Sequence, residues 1–289
     1  EQRGGRSGDL ETVRHVLDSS PLLVVTPWPE QGHTAQSYPG LLPLLGRRFE
    51  TVLDQIGRGL AIVADKWGRA PQWIVAARGA PASAVRDHFA YRDWYGLPPE
   101  RLRVVEEPLL PVLSGDGRLV IDSAGGIPRY ELSLYSALYM MARTLEDPNA
   151  GSATPQLGLV LPATNALPNI PDVEFIARHL AGEEDVSLKV VRAEGGLFPT
   201  GEALIRTEVL PALLRRIHLH TAQALVRRFS VNDDIVKVKA LRAELGPKDV
   251  LAAAGRGAVF EIDPGVETAF LRSAAEWESC SRRVREKDT

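Results

Sequence analysis

The stretch PATNALPNIPDVEFIARHLAGEEDVSLKVVR, residues 162–192, decides the fold. It follows an apolar run at 157–161 that reads as a buried strand, and it re-enters a strand at 186–191. Between them the chain turns through Pro162, Pro168 and Pro171, carries Thr164, Asn165 and Asp172, and passes a short helix. A strand ending in a small polar cluster and a Pro-rich turn suits a ligand site. In open α/β sheets ligands sit beyond the carboxyl ends of the strands.

Working outward, the apolar runs at 22–26, 72–77 and 102–105 read as further buried strands. The spacing of Phe49, Val52, Leu53, Ile56, Leu60, Val63 and Trp67 predicts an amphipathic helix over 49–67, which Gly57 and Gly59 weaken. Helices are also predicted over 10–17, 81–89 (with Ser83 as N-cap) and 132–145. The Asp116-Gly117 pair marks a hairpin within 111–122. Strands alternating with helices up to residue 192 predict an α/β fold with a largely parallel sheet. Downstream, 208–228 reads as one or two helices, 236–243 and 259–262 as weaker strands, and 269–285 as a charged helix. The expected organisation is a disordered edge at 1–9, an α/β domain over 10–205, and a mainly helical extension with a few short strands over 206–289. The loop at 28–45 is long enough to be functional.

Composition bounds the partners. Of 289 residues, 44% are apolar and 25% charged, with a formal charge of -3. That balance argues for one large or two smaller globular domains, and against a general nucleic-acid or anionic-membrane binder. No apolar run reaches the roughly 20 residues of a membrane helix. Cys280 is the one cysteine, which excludes an intrachain disulfide and a cysteine metal cluster, so a reducing, cytoplasmic setting is expected. The chain opens on Glu1 rather than Met, so residue 1 is read as lying after the translation start.

No phosphate-binding P-loop, GxGxxG, HExxH or CxxC motif is present. His218 and His220, two apart on a predicted helix, would face different ways and do not suit a metal. His33 reads first as a solvated loop residue, with phosphate contact as the alternative. The run LLRRIHLHTAQALVRRF at 213–229 reads as a packed helix with a basic face, and a partner surface is its alternative.

Six segments in order resemble the UDP-sugar pyrophosphorylase family, especially the UDP-N-acetylglucosamine type. RRFETVLDQIG at 47–57 is similar to the family's first helix. PQWIVAARGAPASAVRDHFAYRDWYGL at 71–97 resembles its next strand, helix and aromatic turn. VVEEPLLPVLSGDGRLVID at 104–122 resembles its Leu-Pro turn and Asp-Gly hairpin, and LYSAL at 134–138 the helix that follows. PATNALPNIPDVEFI at 162–176 resembles the metal-site strand end, and DVSLKVV at 185–191 the next strand. The resemblance runs from about Tyr38 to Arg192, roughly half the chain. It implies a Rossmann-like nucleotidyltransferase of the glycosyltransferase-A type with a mainly parallel, mixed sheet.

The resemblance also implies roles. Gly32, His33 and Thr34 would contact phosphate, and Ala76, Ala77 and Glu107 would line the base pocket. Asn165 and Asp172 would contact a metal or hydroxyl, with Asp172 the metal ligand, and Lys189 would neutralise phosphate. Mg²⁺, a nucleotide and a sugar phosphate are the implied ligands, and a protein partner or homo-oligomer is compatible with the reading. The sequence departs from the family where chemistry is done. Thr164 stands at the metal Asp, Gly40 at a Lys, and Glu131, Leu132 and Ser133 at the sugar-binding Asn-Gly-Gly. Mg²⁺ wants anionic oxygen ligands, and Thr164 supplies no charge. Arg47, Arg48 and Arg78 are candidate replacement cations. A diverged nucleotidyltransferase, a catalytically dead descendant serving as a binding module, and an unrelated α/β protein stay open at this point.

Overall fold

The computed structural model describes residues 6–27, 51–77, 80–107, 109–131, 133–147, 154–163, 170–193, 196–229 and 235–262. Seven strands form the central sheet: β1 (Leu23–Pro27), β2 (Gln72–Ala76), β3 (Leu102–Val105), β6 (Leu157–Val160), β7 (Val186–Ala193), β8 (Gly196–Arg206) and β11 (Gly257–Ile262). Their order is β11-β7-β8-β6-β1-β2-β3. β1 runs parallel to β2 and β6, β2 to β3, and β11 to β7, while β8 is antiparallel to both its neighbours.

The apolar runs became two-sided strands because both faces of the sheet are covered. Successive residues alternate between two cores. Val24, Trp73, Val75, Leu157 and Leu159 join a core with α1 (Arg6–Ser19), α2 (Val52–Trp67), α3 (Ala80–Tyr91) and α5 (Val173–Ala181). Leu23, Val25, Ile74, Ala76 and Val160 join the other, with α4 (Ser133–Leu145), α6 (Leu210–Arg216) and α7 (Pro247–Ala253). The result is a three-layer α/β/α sandwich, the mainly parallel mixed sheet that the sequence predicts.

The strand order reverses between β1 and β6. From β1 the chain moves through α2 to β2 and β3, then returns past α4 to place β6 on the other side of β1. Both strands end together there: Leu161 N donates to Val25 O at 2.9 Å and Ala163 N to Pro27 O at 3.3 Å. Such a reversal opens a crevice at the carboxyl ends of the strands.

A second sheet pairs the ten-residue strands β9 (His220–Phe229) and β10 (Ile235–Glu244). The helix predicted over 208–228 therefore stops at Arg216. The ribbon buries Val226 and Ala240 against Val112 and Val120, the segment between β4 (Leu109–Pro111) and β5 (Arg129–Glu131). Leu113 and Leu241 exchange backbone hydrogen bonds to fasten it. Over 206–262 the described residues form α6 (Leu210–Arg216), this ribbon, α7 (Pro247–Ala253) and the edge strand β11. His220 sits on β9 and meets Asp249 at 2.6 Å. Ser83 lies inside α3, not at its cap, and α1 begins at Arg6. Cys280 and the helix expected at 269–285 lie outside the described residues. Among the described residues no helix is long and apolar enough to cross a membrane.

Thr51 caps α2 in a reciprocal box with Asp54, and Gly68 closes it at φ 66°. Asp54 is fully buried and also binds Arg92 Nε at 2.7 Å, Tyr95 Oη at 3.0 Å and His88 Nε2 at 3.2 Å. Burial alone would raise its pKa; His88, the Thr51 amide and Arg92 hold it well below the usual carboxylate range instead. The hub fixes a left-handed turn in which Asp93, Trp94 and Tyr95 have φ of 46°, 53° and 57°. Gly57, which weakens the helix by propensity, is where the Tyr95 ring lies: a Cβ there would stand 2.5 Å from the ring carbons. Gly59 meets Ile170 in the same way. Gly57→Ala is therefore expected to destabilise the protein by about 1–3 kcal/mol despite its better helix propensity. Gly115→Ala, with nothing near its Cβ, should change stability much less. Urea unfolding of the two variants checks this.

Candidate functional site

The carboxyl edge of the sheet gathers its polar groups on both sides of the β1/β6 reversal. On one side lie the ends of β2 and β3. Ala76 and Ala77 are buried, one in each core, and Ala77 N donates to Val105 O at 3.0 Å. Glu107, two residues beyond β3, is buried as well. Thr26 on β1 accepts a hydrogen bond from Trp73 Nε1 at 2.9 Å, which ties β1 to β2 next to the crevice.

On the other side is a buried charge cluster. Lys189 Nζ lies 2.5 Å from Asp172 Oδ2 and 2.8 Å from Glu202 Oε2, and its side chain is 0% exposed. It also stands over the Phe175 ring at 5.2 Å. Desolvation works to lower the lysine pKa, but Glu202 and Asp172 outweigh it and the net shift is upward, so the ammonium stays charged. The β7/β8 register slips between Leu188 and Val190, where Thr200, Gly201 and Glu202 of β8 stand opposite the single residue Lys189 of β7, an irregularity in β8. Within it, Gly201 takes φ 84° beside Glu202.

Asp172 has a second task. Its Oδ1 accepts the Phe175 amide at 3.0 Å and caps α5. With Oδ1 on a helix amide and Oδ2 on an ammonium, Asp172 is placed as a cap and ion-pair partner. Among the described residues no three His, Cys, Asp or Glu side chains are grouped to hold a metal ion.

Of the residues singled out in the sequence, the structure brings Asp172 and Lys189 together. Ala76, Ala77 and Glu107 lie apart from them, since β7 and β2 are four strand steps distant in the sheet. At about 4.8 Å per step that is on the order of 19 Å. Gly32, His33, Thr34, Gly40, Arg47, Arg48, Arg78, Thr164 and Asn165 fall outside the described residues. Sequence reading missed Glu202. Its signal is a lone acid in the strand GEALIR, where burial demands a cationic partner.

His179 on α5 is buried, and its Nδ1 lies 2.8 Å from Ser187 Oγ. Burial and the Arg206 charge lower its pKa to about 4. The unfolded chain, with a histidine near pH 6.5, takes up the proton first. Stability should therefore fall as pH drops from about 6.5 towards 4, by about 3 kcal/mol from this group. Replacing His179→Gln should flatten that part of a pH series of urea midpoints.

No family profile matches the chain, and no curated protein matches it. Solved structures do. A UDP-N-acetylglucosamine pyrophosphorylase from Trypanosoma brucei superposes with a TM-score of 0.75 at 13% identity, over 98% of this chain and 69% of that one. A protein assigned to the same activity in Entamoeba histolytica gives 0.74 at 14%, over 97% and 84%. The UDP-glucose pyrophosphorylase of Leishmania major gives 0.69 at 14%, over 91% of this chain and 66% of its own length. The fold is that of these enzymes, a Rossmann-like nucleotidyltransferase fold, as the sequence resemblance implies.

Proposed function

We propose that this protein binds a nucleotide and a sugar phosphate, or a similar acceptor, in the β1/β6 crevice, as a diverged nucleotidyltransferase. The observation that carries the reading is the reversal of strand order at β1/β6, in a sheet with the fold of UDP-sugar pyrophosphorylases. The buried ends of β2 and β3, with Ala76, Ala77 and Glu107, form the base half; the sequence resemblance assigns Asn165 and Asp172 to the sugar half. Mg²⁺ enters as a companion of the triphosphate rather than an ion caged by protein carboxylates, a common arrangement for this cation. A cytoplasmic setting goes with the reading.

One observation favours a second reading, in which the site binds without turning over. Phosphoryl chemistry is catalysed by positioning and charge neutralisation. Lys189, the cation expected to do this, already faces two carboxylates, and Thr164 replaces a carboxylate.

Calorimetric titration with UTP, with and without Mg²⁺, tests the common ground: saturable binding is expected, and absence of heat at millimolar UTP sinks both forms. Pyrophosphate release from UTP across a panel of sugar 1-phosphates then separates them. If turnover is found, Asn165→Ala should lower it by about 10²-fold, the usual cost of losing one polar contact to the reacting groups.

A further inference from the structure

We infer that Lys189 is a positioning residue: its ammonium is a brace that fixes Pro162, just beyond β6, and Asp172, the cap of α5, relative to each other. The functional half of this inference rests on the nucleotide site proposed above. Four contacts join the two. Pro162 packs against Gly201, where a Cβ would stand 2.7 Å from Pro162 Cγ. Gly201 is followed directly by Glu202, whose carboxylate lies 2.8 Å from Lys189 Nζ. The same ammonium lies 2.5 Å from Asp172 Oδ2. Asp172 in turn holds the first turn of α5 through Phe175 N.

The details of β7 and β8 suit this role. The irregularity of β8 at Thr200–Glu202, which includes the positive φ of Gly201, lies directly opposite Lys189. Thr200 Oγ1 donates to Lys189 O at 3.3 Å and accepts from Glu202 N at 3.1 Å, which fixes the bulge on both sides. A departure from regular pairing that weakens a sheet thus coincides with one ion cluster built around a fully enclosed ammonium. A lysine serving phosphate directly would keep its ammonium towards the crevice. Here the whole side chain is enclosed, and its length is spent on joining two segments. Lys189 acts on a bound nucleotide by holding those segments in place, not through its charge.

The test uses the full chain, with Lys189→Met and the charge-compensated pair Lys189→Met with Glu202→Gln, which removes one negative charge along with the positive one. Hydrogen exchange of the peptide covering 162–176 is measured with UTP and UMP affinities, well below each variant's melting temperature. The brace predicts at least tenfold faster exchange in that peptide for the folded double variant, with α4 and α6 unchanged. It also predicts that UTP and UMP weaken by the same factor. Wild-type exchange in the folded double variant overturns the brace. A loss confined to UTP overturns the positioning role and restores a direct charge contact. If the wild-type protein binds neither nucleotide, the proposed function fails, and the exchange result still decides the brace.

Discussion

An ammonium sealed from water is tenable only when carboxylates meet it, and the arrangement of β7, β8 and α5 follows from that requirement at Lys189. Removing such an ion from water costs several kcal/mol, and an attraction in a low-dielectric interior repays it only with close geometry. The closeness here is assembled from three separate elements: a strand, its antiparallel neighbour and a helix cap. None of the three can shift by a residue without stranding a buried charge. The apolar faces of β7 and β8 permit several registers; the ion cluster selects one. Specificity of arrangement, more than net stability, is what a buried cluster of this kind supplies.

A second buried carboxylate does the corresponding work across the sheet. Asp54 joins the start of α2 to the end of α3 and holds three consecutive non-glycine residues in the left-handed region. That conformation costs about 1–2 kcal/mol for each residue. The hydrogen bonds of the hub and the packing of Tyr95 on Trp73, Phe89 and Gly57 offset it. The β1/β6 crevice therefore lies between two polar clusters, each buried and each tying a helix end to its surroundings. Between them the sheet itself is almost wholly apolar, so rigidity at the strand ends comes from these clusters and from the Thr26–Trp73 bond.

How much was legible in the sequence follows from what each signal depends on. β1, β2 and β6 are short unbroken apolar runs, and two-sided burial is the one arrangement that such runs satisfy. The helix over 49–67 followed from its apolar period, whereas the caps at Thr51 and Asp172 became visible only in the structure. β9 was misread because HTAQALVRRF is rich in helix-forming residues. What overrides that propensity is ten residues of pairing with β10, a partner that no local window contains. Gly57 and Gly59 looked like weaknesses because propensity counts only the helix, whereas both make room for neighbours distant in the chain. Lys189 was visible as a cation in a strand. Its partner Glu202 lies thirteen positions along the chain, and only the β7/β8 register brings them together.

The same distinction explains how a chain 13% identical to an enzyme of known fold shares that fold. The fold asks for apolar character at alternating positions, a demand that many sequences meet. The chemistry asks for particular charges at a few atoms. At the strand ends described here the charge of Lys189 is already met by Asp172 and Glu202. A triphosphate placed there adds further negative charge in a setting where Coulomb energies are larger than in water. Binding it then requires counter-charge from outside the Lys189 cluster, either Mg²⁺ arriving on the phosphates or basic side chains drawn from the loops around the crevice. That requirement, rather than the fold, separates the two forms of the proposed function.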